Sequence, residues 1–196
     1  MFTPNAYGLF SMPKLETDRL ILRRMNIRDA EDIFAYSRDP EVARHVLWSA
    51  QKDVSEAKDY CRFIMKRYRA DQPSSWGIIL RKSGRLVGTI GYMDYSEDNA
   101  SVEVGYSLSR SLWNGGYMTE ALRRVIVHTF ENMDINRIEA QHELENPSSG
   151  RVMEKCGMRK EGVLRQRLYN KGKYVDVAPY AIVKSDYEDL KRQGKY

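Results

Sequence analysis

Disulfide and metal chemistry have little to work with in this chain of 196 residues. It holds two cysteines, Cys61 and Cys156, and three histidines, His45, His128 and His142. The cysteines lie far apart, each on the apolar stripe of a predicted helix, which reads as two buried thiols rather than a disulfide. The histidines form no HxxxH pair and no Cys/His cluster, so no metal is expected. No apolar run approaches the roughly 20 residues a bilayer span needs. The start, MFTPNAYGLFSMPKLE, lacks the basic opening and continuous apolar core of a secretory signal. The expectation is a cytoplasmic protein with no membrane partner. No internal repeat and no Pro-, Gly- or Ser-rich linker divides the chain.

What is present fits one globular domain. Hydrophobic residues make up 42% and charged residues 30%, enough to bury a sizeable core while keeping a solvated surface. The net charge of +5 and an isoelectric point near 9.1 would suit a polyanionic partner. Lys and Arg are nevertheless interleaved with Asp and Glu, as in KDVSEAKDYCRFIMKRYRAD. That is a mixed surface, and nucleic-acid binding is not indicated.

Hydrophobic periodicity orders the elements. Residues 1–14, with Pro4, Gly8 and Pro13 and no clear period, read as a loosely held arm. Arg19–Arg24 (RLILRR) reads as a strand. Asn26 can cap a helix carrying Asp29, Ala30, Ile33 and Phe34, which Asp39-Pro40 breaks. A second helix runs from Val54 to Tyr68. Trp76–Arg81, Leu86–Met93 and Ser101–Leu108, joined by short polar turns, predict an antiparallel meander. A helix follows Gly115-Gly116, then a strand at Arg137–His142, a helix at Ser148–Cys156, and two strands near Met158–Arg165 and Tyr174–Lys184. The order β-α-α-β-β-β-α-β-α-β-β describes a mixed, mainly antiparallel α+β domain.

The most informative segment is Val102–Leu122, VEVGYSLSRSLWNGGYMTEAL. A strand and loop hand over to a helix at a glycine pair, where unpaired N–H groups and the positive dipole end can seat a phosphate. By itself the segment reads first as an ordinary loop with a Gly-Gly turn.

Several ordered motifs together resemble the GNAT N-acetyltransferases, in the branch similar to the ribosomal-protein acetyltransferases RimJ and RimL. They are LETDRLILR, VGTIGY, VEVGYSL, WNGGYMTEAL, ENPSSGRVMEKCGM and EGVLR, spread from Leu15 to about Tyr187. The resemblance implies a GNAT fold, with a mixed, mainly antiparallel twisted sheet of six to seven strands flanked by about four helices. The domain would span 15–187, between the arm at 1–14 and a tail at 188–196. It implies acetyl-CoA as co-substrate, with no metal. The family's pyrophosphate loop falls on Asn114, Gly115, Gly116, Tyr117, Met118 and Thr119, with Gly116 on the central glycine. Trp113 departs from the usual basic or amide residue, and Met118 from the usual small one, so its side chain must turn away from the cofactor. Tyr106, Ser107 and Leu108 would meet the pantetheine arm like an added strand. Asn146 would pair with pantetheine or substrate. Ser149 would protonate the leaving thiolate, with Ser148 as the helix cap.

Transfer from a thioester to an amine needs a free lone pair on nitrogen, an oxyanion stabiliser and a proton for the thiolate. At pH 7 an α-amine of pKa ~7.8 is about one-seventh neutral, whereas a lysine of pKa ~10.4 is neutral in only about one molecule in 2,500. An α-amine therefore needs only a modest base, directly or through water. Glu103, an acidic residue in the otherwise apolar VEVGY strand, is the first candidate, and its replacement by Gln should lower turnover and leave acetyl-CoA affinity intact. Glu161 is the second. N–H groups near Tyr106–Leu108 would stabilise the oxyanion. Cys156 shares an apolar helix face with Val152 and Met153 and reads as a core thiol, which favours direct transfer over an acyl-cysteine route.

The expected activity is N-acetylation of a primary amine, foremost a protein N-terminus such as that of a ribosomal protein. The alternatives are a small-molecule amine acetyltransferase and a non-catalytic acyl-CoA-binding module. Phe34 and its helix, Ala43–Trp48, Val54–Tyr68 and Leu164–Val175 are expected to line the acceptor cleft, with Trp48 and Tyr169 as walls. Both a monomer and a homodimer remain open.

Overall fold

The computed structural model describes residues 8–196. Nine strands form one sheet: β1 (Leu15–Glu16), β2 (Leu20–Arg23), β3 (Ser75–Leu80), β4 (Leu86–Ser96), β5 (Ser101–Leu108), β6 (Arg137–Glu143), β7 (Arg159–Lys160), β8 (Leu164–Asn170) and β9 (Lys173–Val183). Their order is β1-β2-β3-β4-β5-β6-β9-β7, with β8 paired to β9. Only β5 and β6 run parallel. Seven strands have four or more residues, the number the sequence predicts, but the strand expected near Met158–Arg165 is broken into the two-residue β7 and a β8 that begins only at Leu164, and β1 adds a two-residue edge. The helices are α1 (Ala30–Ser37), α2 (Pro40–Ala43), α3 (Val54–Arg69), α4 (Tyr117–Asn132), α5 (Pro147–Lys155) and α6 (Lys184–Arg192).

Local chemistry explains these boundaries. Asn26 and Asp29 form a reciprocal capping box at a 3-10 turn leading into α1. Asp39-Pro40 ends α1 as expected. Asp39 then caps the four-residue α2, accepting from Glu41 N with Pro40 in the first turn, and no periodicity test could register so short a helix. The helix expected from Ser148 starts one residue sooner, at Pro147. Asn146 therefore occupies the cap position without a side-chain cap bond, and Ser148 instead accepts from Arg151. The last residues carry α6, whose Tyr187 stacks on Phe130 of α4.

The arm expected at 1–14 lies outside the described residues as far as residue 7. From residue 9 onward it is not loose. Leu9 and Phe10 donate their N–H groups to the Asp71 carboxylate, Phe10 and Met12 are buried, and Trp76 Nε1 donates to Pro13 O at 2.7 Å. A lack of period conceals such anchoring because the partners are distant in sequence.

Helices cover both faces of the sheet. Tyr92 of β4 bonds Thr129 of α4 at 2.7 Å on one face. Thr89, three residues earlier, projects from the other face, where its hydroxyl pairs with Ser107 Oγ at 3.2 Å and α1 packs between β4 and α3. Cys61 and Cys156 are buried free thiols. Among the described residues, no helix is long and apolar enough to cross a membrane.

Candidate active site

β5 and β6 run together only where they begin. Ser101, Val102 and Glu103 pair with Arg137, Ile138 and Glu139, and the pairing stops there. β5 stays bonded to β4 through Leu108, and β6 to β9 through Glu143. The strands therefore fork, leaving the free edge of β5 open to pair with an extended ligand. A cavity of about 340 Å³ has Tyr106, Ser107 and Leu108 from this edge in its wall. The rest of the wall comes from the glycine loop and first turn of α4, the start of α5, and residues between Glu41 and Val46.

The glycine loop has the backbone such a seat requires. Asn114 and Gly116 both adopt left-handed conformations, with φ of 60° and 77°. Asparagine is among the few side chains that enter this region readily, so Asn114 acts here as a second glycine, a role that sequence reading did not give it. The first helical bond of α4 is Glu120 N to Gly116 O at 3.0 Å. The amides of Tyr117, Met118 and Thr119 thus precede the helical ladder and have no intrahelical partner. All three residues line the cavity, and the Met118 side chain is buried against the hydrophobic core. Trp113 is half-exposed and anchors the loop by donating Nε1 to Leu108 O at 2.8 Å.

Of the residues expected to hold the cofactor or protonate the thiolate, all but Gly115 line this one cavity, whereas neither candidate base, Glu103 or Glu161, does. Ser149 Oγ donates to the Tyr106 hydroxyl at 3.0 Å, and that hydroxyl donates to Ser149 O at 3.1 Å. Burial pushes the Tyr106 hydroxyl up, so it stays protonated. Glu103 is placed differently. It stands three residues from Tyr106 and so projects from the opposite face of β5, where it accepts from Gln141 Nε2 at 3.0 Å. Burial raises its pKa against the Gln141 bond, with the Glu139 and Asp94 carboxylates adding to the rise. Glu161 is unsuited to take a proton. Arg137 grips both its oxygens and holds its carboxyl below the usual range. Burial raises the Cys156 thiol to about 12, and its Sγ donates to Thr119 O at 3.4 Å.

Two functional candidates escaped sequence reading. His45, just after α2, lines the cavity, and its Nδ1 lies 2.8 Å from Glu143 Oε2 at the end of β6. Nothing in the spacing of residues 45 and 143 signals this contact. Of the segments expected to line the acceptor cleft, the one at Ala43–Trp48 does reach the cavity, through Arg44, His45 and Val46, but α1 and α3 do not. Tyr169 is exposed and packs edge-on against Tyr174 at 5.1 Å. Among the described residues, no group of three or more His, Cys, Asp or Glu side chains is arranged to hold a metal ion.

Residues 19–159 match the acetyltransferase (GNAT) domain family. The chain is 34% identical over 176 residues to an uncharacterized N-acetyltransferase, p20, of Bacillus licheniformis, covering 90% of this chain and 99% of that protein. It is 30% identical over 100 residues to the ribosomal-protein-serine acetyltransferase of Escherichia coli, covering 51% and 56% of the two chains. A GNAT-family acetyltransferase structure from Bacillus anthracis superposes with a TM-score of 0.79 at 26% identity, covering 88% of this chain and 99% of that one. The chain therefore belongs to the GNAT family of acetyltransferases, similar to its RimJ/RimL-like branch.

Proposed function

We propose that the protein transfers an acetyl group from acetyl-CoA to a primary amine, foremost the α-amine of a protein N-terminus, by direct transfer in a ternary complex. The observation that carries this reading is the single cavity that joins the open β5 edge, the unpaired α4 amides and Ser149. Acetyl-CoA fits these features. The amides of Gly116 to Thr119 would hold the pyrophosphate, with Asn114 and Gly115 setting the loop's path. The β5 edge from Tyr106 to Leu108 would pair with the pantetheine amides, with Asn146 at its far side. Acetyl-CoA supplies the activated acyl group, and the chain orients it and manages protons.

Ser149 would give its proton to the departing thiolate. The hydrogen bond to Tyr106 fixes the Ser149 rotamer, and the protonated Tyr106 hydroxyl can complete the exchange. Direct transfer is favoured because a thiol raised to about 12 makes Cys156 a poor nucleophile at neutral pH. For Glu103 to serve as the base it must act through water, because it lies outside the cavity wall. The similarity to a ribosomal-protein-serine acetyltransferase supports a protein N-terminus as acceptor.

A mass-spectrometric screen with acetyl-CoA tests the reading against ribosomal-protein N-terminal peptides, polyamines, aminoglycosides and free amino acids. Acetylation of peptide α-amines is the expected result. Preference for a small amine would move the acceptor class. Tight acetyl-CoA binding with no transfer to any member would make the protein a binding module.

A further inference from the structure

The cavity contains a proton acceptor that lies on the far side of the sheet from Ser149. Side chains alternate along β6. His142 turns toward α5, where its Nε2 crowds Gly150, while Gln141 and Glu143 project from the other face toward Glu103 and His45. Glu143 is 6% exposed and His45 is 16% exposed at their side chains. A carboxylate only accepts hydrogen bonds, so the 2.8 Å contact places the imidazole proton on Nδ1 and the lone pair on Nε2. His45 itself forms part of the cavity wall, and among the described residues its Nε2 is neither hydrogen-bonded nor sealed from solvent.

The rest of the surroundings hold the pair in place. Asn170 Nδ2 donates to Glu143 Oε1, and both Asn170 and Lys171 donate to Val46 O, so the β8–β9 turn clamps the segment that carries His45. Burial alone would raise the Glu143 carboxyl, but the Asn170 and His45 hydrogen bonds outweigh it and keep the group ionised. Asn146 N donates to Glu143 O at 2.8 Å, which ties the pair to the turn leading into Ser149. An acid and a lone-pair acceptor thus enter one cavity from opposite faces of the forked sheet.

We infer that His45, oriented by Glu143, is the group that takes the proton from the acceptor amine, in place of Glu103. The inference rests on the acetyltransferase reading above. As the nitrogen–carbon bond forms, the carbonyl π pair moves to oxygen and the amine proton passes to His45 Nε2. Carbon–sulfur cleavage then restores the carbonyl, and the thiolate takes the Ser149 proton, which solvent replaces through Tyr106. His45 returns its proton to solvent. Glu143 is a positioning residue that fixes the tautomer and stabilises the imidazolium.

The test is the pH dependence of kcat/KM with the best acceptor from the amine screen, for the unaltered enzyme and for H45Q, E143Q and E103Q. The charged groups that can move the profile are Glu143, Lys171, Glu41, Arg44, Glu145, Arg151 and Lys155, which all lie around His45 or on the same cavity wall. H45Q should lose about 10²-fold at pH 7, lose the acidic limb of the profile and bind acetyl-CoA unchanged. E143Q should lower kcat/KM and lose the histidine Nδ1–H resonance, and E103Q should keep the limb. Free imidazole should partly restore H45G, which a merely structural role would not permit. An intact limb in H45Q, or its loss in E103Q alone, overturns the assignment. A histidine Nδ1–H resonance that H45Q and E143Q both abolish needs no acceptor and tests the pair separately. If that signal is present but the unaltered enzyme acetylates no amine, the acetyltransferase reading has failed and the catalytic assignment falls with it. If the signal is absent, the assignment fails while the reading stands.

Discussion

Arg19 Nη1 donates to Gly115 O at 2.9 Å, joining the β1–β2 turn to a loop 96 positions further along the chain. The same guanidinium donates Nε to Glu120 Oε2 at 2.6 Å and lies 4.1 Å from the centre of the Tyr117 ring. Glu120 also accepts from Thr17 Oγ1 and Arg19 N. The glycine loop, which seats phosphate in the proposed function, is therefore braced from behind by a side chain that does not line the cavity.

Replacing Arg19 with Ala should loosen that loop without touching the reacting atoms. The expected result is acetyl-CoA binding weakened about 3- to 10-fold, or roughly 1 kcal/mol, with kcat nearly unchanged. Arg19→Lys should recover little, because a single ammonium cannot serve both Gly115 O and Glu120 in the fork geometry. Titration calorimetry with acetyl-CoA measures both variants.

The two left-handed positions make opposite predictions. Asn114→Gly relaxes a φ of 60° and should leave stability equal or slightly higher, whereas Asn114→Val should cost about 1–2 kcal/mol. At Gly116 there is room for a methyl group, since the nearest atom to an added Cβ is Arg19 Nη2 at 3.5 Å. The cost of Gly116→Ala is then the backbone strain at a φ of 77°, about 1 kcal/mol, and a Tm lower by roughly 2–4 °C. Thermal melts of the three variants decide this.

Ser149 and Tyr106 should separate kinetically. Ser149→Ala should lower kcat about 10- to 100-fold with acetyl-CoA affinity preserved, because only thiolate protonation is lost. Tyr106→Phe removes both the acceptor of Ser149 Oγ and the donor to Ser149 O. It should destabilise the fold by about 1–2 kcal/mol and reduce kcat less than Ser149→Ala does. Saturation kinetics beside denaturant melts distinguish the two.

His128 gives the fold a pH dependence away from the site. Burial next to Trp76, with Arg124 adding repulsion, lowers its pKa from 6.5 to about 4. Between those values the unfolded chain binds more protons than the folded one, so stability is lost as pH falls from about 6.5 toward 4. His128→Phe should flatten that slope. Urea midpoints at pH 7 and pH 5 should differ for the unaltered protein and differ less for the variant.

The fold class and the main strands were legible in the sequence because each is a local pattern, whereas the glycine loop and Ser149 were singled out through the ordered motifs that carry the GNAT resemblance. Strand alternation, helical stripes and a glycine pair before a helix depend on neighbours within a few residues. Asn114 was harder. Its residue type permits a left-handed backbone, but only the loop's path demands it. Strand alternation already puts Glu103 and Tyr106 on opposite faces of β5, but that Ser149 packs on the Tyr106 face is decided by the docking of α5.

The sequence by itself determined the fold class and the continuous stretch from β5 into α4 that builds most of the proposed donor side of the cavity. Tertiary structure alone brought together the groups proposed for the acceptor side. His45 follows a four-residue helix with no readable period, Glu143 ends a strand 98 positions later, and Asn170 and Lys171 close over them from a third segment. The physical reason is that a buried carboxylate must find partners wherever the fold brings donors. That choice depends on how the strands part and the loops close, and no local periodicity encodes it.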